Sequence, residues 1–83
     1  MVRRYDQATD EIVAAEGRLR GSFKGFRNRD TLFRFQTGSE WRQAQYHYHY
    51  HYAYSPNARV VQKGSRFYIE VDGLADSVEV KRA

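Results

Sequence analysis

The sequence predicts a mainly β protein: a small SH3-like antiparallel barrel of five or six strands with a short N-terminal α-helix. Residues 46–54 read YHYHYHYAY, and such strict alternation has the two-residue period of a β-strand. From Gly17 onward, short alternating segments are separated by tight turn signals, which is typical of a small barrel or of paired sheets. The chain has 83 residues and so forms one domain, near the size at which a single core is only marginally sufficient. An OB-type barrel is the second choice.

The first segment is predicted to be a helix over residues 5–16. Its apolar residues recur at three- and four-residue spacings and would share one stripe of a helix. These residues are Tyr5, Ala8, Ile12 and Ala15. Gly17 suits the helix end. The chain is thereby divided into an N-terminal helical segment, residues 1–17, and a small β-barrel domain, residues 18–83.

The barrel strands follow in order, each bounded by a turn signal. The turns read RNRD at 27–30, QTGSE at 36–40, SPN at 55–57, KGS at 63–65 and DG at 72–73. Between the turns, alternation assigns the large apolar side chains to one inward face. The predicted core consists of Phe23, Phe26, Phe33, Phe35, Trp41, the tyrosines from 46 to 54, Val60, Phe67, Ile69, Val71, Val78 and Val80.

The long tyrosine strand has to bury one of its two faces. Its odd-numbered face carries two glutamines and three histidines, and burying such groups unpaired would cost about 1–3 kcal/mol each. We therefore expect the tyrosines to face inward, with an exposed stacking platform as the alternative. Trp41 has the parity of the histidines. If Trp41 is also interior, a β-bulge between Arg42 and Gln45 has to accommodate one extra residue.

The charge distribution gives the leading functional hypothesis. The formal net charge is +4, and residues 17–66 hold ten Lys or Arg against Asp30 and Glu40. Small barrels often present one basic sheet face to nucleic acid, with cations on phosphates and planar side chains stacked on bases. We expect a non-catalytic module that binds nucleic acid through its outward face. The candidate residues are Arg18, Arg20, Lys24, Arg34 and Arg59, the histidines His47, His49 and His51, and Tyr68.

Two other functions remain open. Exposed edge strands would support a homodimer or the binding of a protein partner. The histidine run suggests a metal-binding protein as a third hypothesis, because histidines two apart on a strand lie about 6.5–7 Å apart and can share one ion. Alternation brings only Glu40 and Glu70 near as further ligands, and we assign no metal site and no cofactor. No serine lies in a nucleophile elbow, so no enzyme activity is predicted.

Cysteine usage and the N-terminus limit the other possibilities. The chain has no cysteine, which excludes disulfides and thiolate metal sites. The first residues, MVRRYDQATDEIV, contain no apolar run long enough for a signal peptide or a membrane span. A cytoplasmic protein that does not contact membranes is therefore expected.

The motif order resembles that of a small uncharacterised bacterial family of short stand-alone proteins, some carried on integron cassettes. Its pattern is G-x-F-x-G-F, F-x-F-x-T-G-x-x-W-x-Q, Y-x-Y-x-Y-x-Y-x-P, Y-x-E-V-x-G and V-x-V-x-R. The matching residues are Gly21, Phe23, Gly25, Phe26, Phe33, Phe35, Gly38, Trp41, Tyr46, Tyr48, Tyr50, Tyr52, Pro56, Tyr68, Gly73, Val78 and Val80. The resemblance covers residues 17–82, omits the N-terminal segment, and implies a shared fold without any assigned activity.

Overall fold

The computed structural model describes residues 4–6 and 11–83, and these form nine β-strands. The strands are β1 (Arg4–Asp6), β2 (Glu11–Arg18), β3 (Ser22–Phe23), β4 (Leu32–Arg34), β5 (Glu40–Gln43), β6 (Ala53–Tyr54), β7 (Asn57–Lys63), β8 (Arg66–Val71) and β9 (Ser77–Arg82). Seven of them form one antiparallel sheet in the order β1-β2-β7-β8-β9-β5-β4, and β3 pairs with β6 in a separate ribbon. The mainly β prediction is confirmed.

The prediction of an N-terminal helix is wrong for the residues that the structure describes. β2 pairs antiparallel with β7 from Ile12–Gln62 to Arg18–Asn57, and β1 pairs with β2. Residues 7–10 of the predicted helix lie outside the described residues. Ile12 and Val13 are β-branched residues, which favour a strand, and pairing along the whole of β2 outweighs a weak helical stripe of four residues.

The sheet is not the closed barrel that the sequence predicts, although its two ends meet locally. Leu19, just after β2, forms an isolated antiparallel bridge with Phe35, just after β4. On either side of this bridge, the Arg20 N–H donates to the Arg34 carbonyl at 2.7 Å and the Gln36 N–H to the Arg18 carbonyl at 2.8 Å. The sheet therefore curls around a core without a continuous ladder at its seam.

The predicted core is confirmed except for the tyrosines. Phe26, Phe35 and Trp41 have no exposed surface, and all the other predicted core residues are buried except Phe67, which is partly buried against the cluster. The rings of Phe23 and Phe26 pack edge to face with centroids 5.9 Å apart. Such pairs contribute about 0.5–1.5 kcal/mol beyond the area that they bury. Further buried residues are Val13, Ala14, Ala15, Leu19, Ala58 and Val61.

The central segment faces the opposite way from the prediction. Its tyrosines are exposed, and the parity that holds Trp41 and Gln43, both buried, continues toward the protein at His47, His51 and Ala53, which are half-buried. Gln45 and His49 have the same parity but are exposed. Because the tyrosines are exposed, Trp41 can be interior without a change of parity, and the bulge predicted after Arg42 is not needed. The register shift lies in β2 instead, between Val13 and Ala15.

Gln43 supplies the physical reason for this reversal. Its Oε1 accepts from the Arg27 N–H at 3.1 Å, and its Nε2 donates to the carbonyls of Gln45 and His47 at 3.0 and 2.9 Å. A buried amide with three such partners is satisfied, so the burial penalty that favours tyrosines inside does not arise. The residues that follow β5 therefore leave the sheet with the side of the chain that carries Gln43 and His47 toward the protein.

Residues 49–54 then run beside residues 22–26. Phe26 and His49 exchange two backbone hydrogen bonds of 3.0 and 2.9 Å, and Gly25 lies between this bridge and the β3–β6 ribbon. Gly25 has a φ of +92°, and a Cβ there would collide with the His49 carbonyl. Glycine at this position therefore allows the two backbones to approach closely.

Candidate functional site

A row of exposed tyrosines is the most prominent surface feature of the described side chains. We call Tyr46, Tyr48, Tyr50, Tyr52 and Tyr54 the tyrosine row, and between 56% and 75% of the surface of each is exposed. Successive members are two residues apart, which corresponds to about 6.5–7 Å along an extended chain. Contiguous exposed aromatic surface of this kind marks interaction sites, because a folded chain otherwise buries large rings.

An open groove with a volume of about 690 Å³ has a positively charged lining. Its charged lining residues are four cations against one acid: Arg20, Lys24, Arg27, Arg34 and Asp30. We call it the basic groove. Arg34 also lies 3.6 Å from the Glu40 carboxylate, and both side chains are exposed. The rings of Phe23 and Phe33, from the core cluster, form part of the groove floor.

The tyrosine row and the basic groove adjoin each other. Ser22 lines the groove and is the cross-strand partner of Tyr54, and directly opposed residues on an antiparallel pair share a face. On the other side, Leu32 lines the groove and opposes Arg42, which in turn opposes Lys81. Arg42 and Lys81 are both exposed. The cationic surface therefore extends from the groove onto the outer face of β5 and β9.

The structure brings together only part of the predicted set. Arg20, Lys24 and Arg34 line the basic groove. Arg18 donates from its Nε to the Ser55 carbonyl at 3.0 Å, inside a network in which the buried Ser55 hydroxyl donates to the Leu19 carbonyl at 2.8 Å. This arrangement gives Arg18 a role in holding the turn after β6.

Arg59 and Tyr68 lie elsewhere. Arg59 donates to Glu70 at 2.8 Å, in a second open cavity that Glu16 and Asp72 also line. Tyr68, on β8, is half-buried, and the Lys63 ammonium lies 5.5 Å from the centre of its ring. Neither residue lines the basic groove.

Two of the three histidines meet an acid that alternation does not reveal. His47 Nε2 and His49 Nδ1 lie 2.9 and 3.0 Å from the same oxygen of Asp76, which comes just before β9. The hydrogen bonds from His47 and then from His49 hold the pKa of the Asp76 carboxyl below its ordinary value. His51 is outside this group, and its ring lies beside Gly73.

The exposed tyrosines correspond to the alternative in the sequence analysis rather than to its first choice, and Arg27, Arg42 and Lys81 were not among the candidate residues. Arg42 was recoverable, because it follows the buried Trp41 in β5 and so has the outward parity. Asp76 carries no comparable signal, since it lies in the connection between β8 and β9. Its proximity to the histidines follows from tertiary structure alone.

Comparisons with known proteins give no match: no protein family, no curated protein and no solved structure is significantly similar to the chain. The residues that the structure describes include no helix long and apolar enough to cross a membrane.

Proposed function

We propose that the protein is a non-catalytic module that binds single-stranded nucleic acid across the tyrosine row and the basic groove. The observation that carries the proposal is that a row of five exposed tyrosines adjoins, at Tyr54, a groove with four cations. Proteins that bind single strands combine the same two parts, a cationic track for the phosphates and aromatic side chains on which bases stack. In a duplex the bases are already stacked on one another, so few base faces are free to stack on the tyrosines.

The cross-strand pair of Arg42 and Lys81 supports the same surface. Like charges directly opposed on a sheet are destabilising, and these two oppose each other in the register of β5 and β9. A phosphate placed between them would offset that repulsion. A protein partner is the alternative occupant, because protein interfaces are also rich in tyrosine and arginine. The opposed pair of cations favours an anionic partner.

The test is an anisotropy titration of short labelled single strands and duplexes of DNA and RNA at several salt concentrations. Four phosphate contacts predict a slope of log affinity against log salt of about −3, at about −0.7 per contact on a single strand. Arg20→Gln should weaken binding and make the slope shallower by about 0.7. Whether DNA or RNA binds more tightly is an outcome of the same titration.

Arg59→Gln is the matched control. It removes the same charge from the chain but from the cavity with Glu16, Glu70 and Asp72, so the affinity should stay unchanged. Equal losses for Arg20→Gln and Arg59→Gln would reduce the effect to net charge and contradict a defined surface. Tighter binding of duplexes than of single strands would also contradict the proposal.

The other expectations stay predictions. For dimerisation through edge strands, the outer strands of the sheet are β1 and β4, each three residues long, and the Arg34 carbonyl of β4 already accepts from Arg20. An SH3-like relationship, a cytoplasmic location and kinship with the integron-cassette family likewise stay predictions.

A further inference from the structure

His47, His49 and Asp76 form a compact group of potential metal ligands. One ring nitrogen from each histidine and a carboxylate oxygen of Asp76 all lie within 4.8 Å of one another. The two contacts to the carboxylate are 2.9 and 3.0 Å long. Among the described residues, no other group of three histidines or acids has this geometry. None of its members belongs to the tyrosine row or lines the basic groove.

The spacing of these atoms is close to that of a zinc coordination shell. Zinc binds imidazole nitrogen and carboxylate oxygen at about 2.0–2.2 Å in tetrahedral geometry, which separates neighbouring ligand atoms by roughly 3.3 Å. An ion that replaces the two hydrogen-bonded protons would therefore move the Asp76 oxygen by only a few tenths of an ångström. The two histidine nitrogens need to approach each other modestly.

The backbone behind the histidines is held in place by partners outside the group. Gln43 Nε2 donates to the His47 carbonyl, and the His47 ring packs edge to face on Phe26 with centroids 5.9 Å apart. His49 exchanges both of its backbone hydrogen bonds with Phe26. Ligands that are already oriented lose little conformational entropy when an ion binds.

We propose that His47, His49 and Asp76 bind a divalent transition-metal ion, with Zn²⁺ as the representative. Imidazole and carboxylate are ligands that zinc favours, and two histidines with one acid leave a coordination position for water. The three side chains are between 36% and 45% exposed, so an ion can enter without unfolding. The bound ion would link the tyrosine segment to the connection before β9.

The experiment is a zinc titration of the tag-free chain by isothermal calorimetry, with the histidine ring resonances followed by NMR. We expect one ion per chain, with shifts at His47 and His49 larger than at His51. His49→Gln and Asp76→Asn should each weaken zinc binding about tenfold or more, since even outer-shell changes cost that much at zinc sites. His51→Gln is the matched control and should bind zinc as the unaltered chain does.

Three results would overturn the proposal: no binding at millimolar zinc, equal loss of affinity in His51→Gln and His49→Gln, or unchanged affinity in Asp76→Asn. Thermal unfolding of each variant in the absence of zinc shows whether it is folded. Since the side chains of His49 and Asp76 are both more than a third exposed, we expect both site variants to fold. The result of the zinc titration does not bear on the nucleic-acid proposal, because none of these three residues lines the basic groove.

Discussion

Two stretches of the chain alternate aromatic with polar residues, and they treat their aromatic side chains in opposite ways. Around β4, Phe33 and Phe35 are 2% and 0% exposed, while Leu32 and Arg34, which alternate with them, are exposed. In the tyrosine row, every aromatic side chain is more than half exposed. Alternation establishes that two faces differ. Alternation alone does not show which face is buried. That depends on whether the polar face finds hydrogen-bond partners inside the protein.

In β4 the outward face is Leu32 and Arg34, and no polar network competes for the interior. In the central segment, Gln43 and Asp76 satisfy the polar face, so the tyrosines with their hydroxyls are the face left in water. A buried amide and a carboxylate with suitable partners thus allow the polar side of an alternating segment to face the protein.

The largest expected effect comes from removing a buried ring. Phe33→Ala should lower the free energy of unfolding by about 3–5 kcal/mol, because it leaves a cavity among Phe23 and Phe26. The equivalent change in the tyrosine row, Tyr50→Ala, should cost less than about 0.5 kcal/mol. Urea unfolding of the two variants measures the contrast. Comparable losses for both would show that Tyr50 is packed in solution and would contradict the exposed row.

This contrast also separates what the sequence determines from what it does not. The phenylalanines, Trp41, Val60, Val71, Val78 and Val80 are correctly predicted as core, because they form the more apolar face of their strands. Val61 of β7 has the opposite parity to Val60 and is also buried, which alternation does not predict. The N-terminal helix and the inward tyrosines are wrong because each depends on tertiary partners. β2 is a strand because it pairs with β7. The histidines have a hydrogen-bond partner in Asp76, which is 27 residues from His49 in the sequence. Local periodicity contains no information on such long-range pairs.

A smaller effect is expected from removing the amide that orients the segment. Gln43→Leu keeps the size of the side chain but leaves the Arg27 N–H and two carbonyls without their partner, which should cost about 2–3 kcal/mol. Amide hydrogen exchange at His49 should also become faster, because residues 44–49 lose an anchor.

Gln45→Leu is the control for that substitution. Gln45 is exposed, and its side-chain Oε1 accepts one hydrogen bond, from the Glu79 N–H at 2.8 Å, so the loss of that side-chain bond should cost about 1 kcal/mol or less. If Gln43→Leu is no more damaging than Gln45→Leu, the explanation for the reversed orientation is wrong.

Base stacking on the tyrosine row can be tested by two substitutions of a single tyrosine. Tyr54, whose cross-strand partner Ser22 lines the basic groove, is changed to Leu and to Phe, and the affinity for a labelled single strand is measured by anisotropy at constant salt. Tyr54→Phe keeps the ring and should bind as the unaltered chain does. Tyr54→Leu should lose about 1–3 kcal/mol of binding free energy, the contribution of one stacked base. Equal affinity for both variants and the unaltered chain would contradict base stacking on the tyrosine row.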